Sequence, residues 1–119
     1  MKRVRLSEKF AQFDDQWSPR IVAALNGQHV KLAKIEGAFV WHCHPDADEL
    51  FLVVRGAMEM HLRDGVVHLE AGDLFVVPRG TEHRPVAERE AEILLVEPAG
   101  TVNTGTAGGD RTVNDPAWI

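Results

Sequence analysis

The chain of 119 residues is 45% hydrophobic and 26% charged, with a formal net charge of −5. That suits one compact domain over residues 1–119 with a buried core and leaves little room for a second. The acidic balance argues against nucleic acid or an anionic membrane surface as partner. No run approaches the apolar length of a membrane-spanning helix, and "MKRVRLSEKFAQFDDQW" turns acidic before any signal-peptide core appears. The lone Cys43 has no intrachain disulfide partner, which suits a reducing cytoplasm.

From the N-terminus, Ser7 is placed to cap a short helix running to about Phe13, with Phe10 and Phe13 three apart for packing onto the barrel. Turn signals then recur at short intervals: Asn26-Gly27, Glu36-Gly37, Arg55-Gly56, Asp64-Gly65, Ala71-Gly72 and Arg79-Gly80. Asn-Gly and Asp-Gly favour two-residue hairpins, because both central positions accept positive φ. The runs between the turns have strand length: "RIVAAL", "QHVKLAKI", "AFVWHCH", "ELFLVV", "AMEMHL", "VVHLE", "DLFVVP", "EHRPV" and "AEILLVE". Nine short strands without a helical pattern between them predict an all-β chain, a small antiparallel barrel or sandwich. After Pro98 the composition shifts to Gly, Thr and Asn, which reads as an irregular C-terminal tail.

One stretch carries chemistry. In "GAFVWHCHPDADELFLVVRG", His42 and His44 stand at i and i+2, so on an extended strand they share a face. Glu49 has the opposite parity, but Pro45 breaks the strand, and "PDAD" reads as a turn that resets the alternation. A further histidine, His83, comes after the turn of "GDLFVVPRGTEH". Three imidazoles and one carboxylate converging inside a barrel suit one divalent transition metal (Fe, Mn, Ni, Cu or Zn). Parity sends Phe39, Trp41 and Cys43 to the outer face, where apolar side chains need cover from the N-terminal segment or from a second subunit.

These residues resemble the two motifs of the cupins, a family of small jelly-roll β-barrels. The first, G-x5-H-x-H-x(3,4)-E-x6-G, is met by Gly37, His42, His44, Glu49 and Gly56, with four residues rather than five after Gly37. The second, G-x5-P-x-G-x2-H-x3-N, is met by Gly72, Pro78, Gly80 and His83, with Ala87 in place of the final Asn. The matched core spans residues 37–87. The resemblance implies that His42, His44, Glu49 and His83 hold a metal, and the many dimers among cupins point to a homodimer.

The remaining histidines, His29, His61 and His68, lack partners at suggestive spacing and are assigned to the surface or to sheet packing. Met58, Met60 and Phe51 read as core or pocket wall. Arg55, Arg79 and Arg84 are candidates to hold an anionic substrate, with the surface as their default. The expected function is a metal-dependent enzyme acting on a small oxygen-chelating molecule, with Glu49 also catalytic. No free carboxylate announces itself as a base beside the metal, which favours dioxygenase-like chemistry over a sugar or sugar-phosphate isomerase. A non-catalytic barrel that binds a small ligand is the alternative.

Overall fold

The computed structural model describes residues Met1–Ile119. One short helix, α1 (Leu6–Phe10), precedes seven strands: β1 (Arg20–Leu25), β2 (Gln28–Ala38), β3 (Glu49–Arg55), β4 (Ala57–Leu62), β5 (Gly65–Glu70), β6 (Leu74–Val77) and β7 (His83–Pro98). All pairings are antiparallel, along the path β1-β2-β7-β3-β6, with β4 bridging β5 and β7. This is the antiparallel barrel fold expected from the turn spacing, with hydrogen-bonded edges that do not close.

Asn26 and Gly27 join β1 to β2 with φ of 49° and 77°, as a tight hairpin needs. In the β4–β5 hairpin Arg63 and Asp64 make the turn, and Gly65 already pairs with Leu62. "EHRPV" and "AEILLVE" are one strand rather than two. Nothing in the intervening "AERE" forces a turn, so β7 runs on, exchanging β4 for β3 while β2 pairs with both halves.

The inner face holds a core of twelve buried residues, among them Ile35, Phe51, Val53, Met58, Met60 and Ile93. Met58, Met60 and Phe51 thus take the core places expected of them. Strand β2 is buried on both faces, because Leu32 packs outward into a second cluster with Phe10, Phe13 and Val22. The Phe10 and Phe13 rings lie 6.0 Å apart and fasten α1 to the sheet. The helix is shorter than expected and starts earlier. Arg5, not Ser7, occupies its N-cap position, and no side chain caps it. Packing of the two phenylalanines, not capping, holds these five residues helical. The tail is irregular but folded back, with Thr104 fully buried and Ile119 donating its N–H to Ile21 O at 3.0 Å.

Candidate metal centre

Backbone geometry brings His42, His44, Glu49 and His83 together. Strand β2 ends at Ala38, and beyond it Phe39 N–H donates to Pro85 O at 2.9 Å and His42 and His83 exchange backbone hydrogen bonds of 2.9 and 3.1 Å. The expected strand "AFVWHCH" is therefore, after Ala38, a loop tied down by separate backbone contacts. Pro45 and Asp46 turn the chain, and Glu49 opens β3 opposite Val77. Gly80 N–H donates to His44 O at 2.9 Å, so the turn before His83 is tied to the loop that carries His44.

All four side chains are buried, and one ligand atom from each lies within 4.8 Å of the others. His83 Nδ1 is 2.8 Å from Thr81 O, and His42 Nδ1 is 2.9 Å from Val40 O. A carbonyl only accepts, so each Nδ1 carries the proton and each Nε2 keeps its lone pair. His83 Nε2 stands 3.3 Å from Glu49 Oε1 and His44 Nε2 3.5 Å from the same oxygen. None of these three atoms has a hydrogen-bond partner. Buried lone pairs that face one another in this way are stabilised by a shared cation, and three imidazoles with one carboxylate suit a divalent transition ion. The residues present fit such an ion.

Electrostatics keep the donors in the right form. Burial, with the neighbouring His83, lowers the His42 pKa to about 4, so its imidazole is neutral at pH 7. Burial pushes the Glu49 carboxyl up, but the adjoining Glu97 favours its ionised form and holds it below the usual carboxylate range.

Glu97 is the residue that sequence reasoning missed. It lies against Glu49, is 1% exposed, and has Oε1 2.8 Å from Lys31 Nζ. Lys31 also donates to Thr101 O at 3.1 Å. Burial and the adjoining Glu49 push the Glu97 carboxyl up to about 9, against the pull of Lys31. The expectation that no free carboxylate stands beside the site is thereby corrected. A signal was present: Ala91, Ile93 and Leu95 alternate inward along β7, and Glu97 continues that parity.

His42, Glu49 and Glu97 line a cavity of about 40 Å³ whose far wall is the stacked pair Trp17 and Phe39, with ring centroids 4.6 Å apart. Phe39 is therefore inside, not on the outer face. Phe39 keeps the inward parity of Ala33 and Ile35 on β2, and the one extra residue between the pairs Ala38–Val86 and His42–His83 breaks the alternation that parity assumes. Trp41 and Cys43 do avoid the cavity, and this chain covers both. Arg63 lies over the Trp41 ring at 3.9 Å, and Thr106 of the tail meets Cys43 Sγ at 3.8 Å. These side chains do not require a second subunit as cover.

The three arginines do not reach the cluster. Arg55 pairs with Glu92, Arg79 with Asp48, and Arg84 meets His61. His29 packs on Trp118, while His61 and His68 flank Glu59. All are surface or sheet-packing roles.

Comparison with known proteins agrees with this geometry. The family model described as "Cupin domain" matches residues 28–97. The uncharacterized protein YdbB of Bacillus subtilis is 32% identical over 103 residues, covering 77% of this chain and 85% of its own. A cupin-2 domain containing protein from Shewanella frigidimarina superposes with a TM-score of 0.79 at 43% identity, covering 80% of this chain and 93% of its own. A protein from Neisseria meningitidis superposes with a TM-score of 0.76 at 28% identity, covering 82% of this chain and all of its own. With the family model spanning more than half its length and the two-motif cluster assembled in its barrel, the chain belongs to the cupin family.

Proposed function

We propose that this cupin is a metal-dependent enzyme that moves a proton on a small, oxygen-chelating organic molecule, as an isomerase or tautomerase does. The observation that carries the reading is the set of partnerless polar atoms on His44, His83 and Glu49, with Glu97 beside Glu49 in the cavity wall. A divalent ion held by His42, His44, Glu49 and His83 would polarise the ligand's oxygens as a Lewis acid. Glu97 then stands where a carboxyl can exchange a proton with a ligand bound there. Phe39, Phe51 and Ile93 keep the wall apolar, which strengthens each charge interaction inside. A cavity of about 40 Å³ holds a few waters, so a substrate enters by displacing Trp17 or the Asn103 segment.

Dioxygenase chemistry is the second reading, favoured by how small and apolar that cavity is. Homodimerisation retains one support, the exposed Leu74 and Val76 on the edge strand β6.

The test separates these readings. Metal-stripped protein is reloaded with Fe(II), Mn(II), Ni(II) or Zn(II) and incubated in D2O with a panel of α-hydroxyketones and diketones, with oxygen monitored. Deuterium incorporation without oxygen uptake supports proton transfer, whereas oxygen uptake supports the dioxygenase. Tight binding with neither outcome makes the barrel a binding module.

A further inference from the structure

We infer that Glu97, braced by Lys31, is a positioning residue that fixes the Glu49 carboxylate toward the histidine cluster. The inference rests on the metal-site reading proposed for His42, His44, Glu49 and His83.

Glu49 stands at the first position of β3, and its Oε1 receives no N–H or O–H donor. Left alone, its terminal carboxyl torsion would be broad. Glu97 removes that freedom from the other side. Its own carboxyl is anchored through Oε1 to Lys31 Nζ, leaving Oε2 without a donor and the group lying against Glu49. Lys31 is itself immobilised, 2% exposed and hydrogen-bonded to the tail at Thr101 O. Strands β2 and β7 supply this chain of contacts from adjacent positions, with Lys31 opposite Leu95 and His29 opposite Glu97. A buried lysine and two buried carboxyls are costly unless they serve one another. The arrangement matches the general rule that outer partners orient the groups that hold a metal, and tune affinity through them.

Cobalt(II) alone is the probe, titrated into metal-stripped full-length protein and followed by its visible absorption band. Wild type is expected to bind one ion per chain. Glu97→Leu should weaken Co(II) binding by about 10- to 100-fold and shift the band. Glu97→Gln, which keeps an acceptor for Lys31 and gives Glu49 a donor, should restore binding to within about threefold. In a Glu49→Gln background, Glu97→Leu should add nothing, because the residue acts through Glu49. Should Glu97→Leu not fold, the double variant Lys31→Met/Glu97→Leu is read by the same two criteria. Wild-type affinity and band in Glu97→Leu would overturn the inference, as would additive losses in the Glu49→Gln background. Absence of Co(II) binding by wild type would instead overturn the metal-site reading itself.

Discussion

Replacing Lys31 by Met tests whether the buried Lys31–Glu97 contact is as integral to the barrel as its geometry indicates. Lys31 and Glu97 are 2% and 1% exposed and 2.8 Å apart. Removing the ammonium leaves two adjoining carboxyls with no cation in the interior. Breaking a buried pair from one side costs about 3–5 kcal/mol. An unfolding entropy of roughly 2.1 cal/mol/K per residue makes each kcal/mol worth about 4 °C in a chain of this length. Lys31→Met should therefore lower the melting temperature of the metal-free protein by about 12–20 °C. The double variant Lys31→Met/Glu97→Leu should recover most of that, since an apolar replacement of both partners is close to neutral. Scanning calorimetry in chelator reads both. A single variant that melts within about 3 °C of wild type would refute the argument. So would a double variant whose loss equals the sum of the two single losses, because the pair would then be uncoupled.

Two further outcomes are expected of the site. The His42 pKa of about 4 lies below the unfolded value of 6.5, so the unfolded chain binds more protons between those values. Metal-free protein should lose up to about 3 kcal/mol of stability as pH falls from 6.5 to 4, and His42→Phe should flatten that slope in urea melts. Gly105→Ala should lift the tail from the site. Gly105 sits at φ 50°, where a Cβ would overlap the Cys43 carbonyl and press on His44 Cε1. Trypsin should then cut at Arg111 faster than in wild type, and an unchanged rate would show that the tail is not held there.

The four cluster residues are legible in the sequence because their spacing is set by local geometry. The i, i+2 histidines need only an extended backbone, and Pro45 announces the turn that brings Glu49 round. The strands beside Asn26-Gly27, Arg55-Gly56, Asp64-Gly65 and Ala71-Gly72 are equally legible, whereas Glu36-Gly37 is no turn, since β2 runs through it to Ala38. What the sequence conceals depends on distant contacts. Phe39 faces inward with His42 because one extra residue lies between Ala38 and His42, and such an insertion has no firm signature in one sequence. Glu97 and Lys31 are 66 residues apart, and either charge alone reads as a surface group at a strand end. Only the pairing of β2 with β7 makes their burial tolerable. The cover over Trp41 and Cys43 is hidden likewise, since Arg63 and Thr106 reach them through the tertiary fold.

The most direct test of the central claim is the metal content of the protein purified without chelators, measured by elemental analysis beside His42→Ala, His44→Ala and His83→Ala. Wild type should carry one divalent transition ion per chain and each variant sharply less, with the β-sheet circular dichroism spectrum preserved. Wild type free of transition metal that also fails to take up Zn(II), Mn(II), Ni(II) or Fe(II) would contradict the claim, as would metal content unchanged in all three variants.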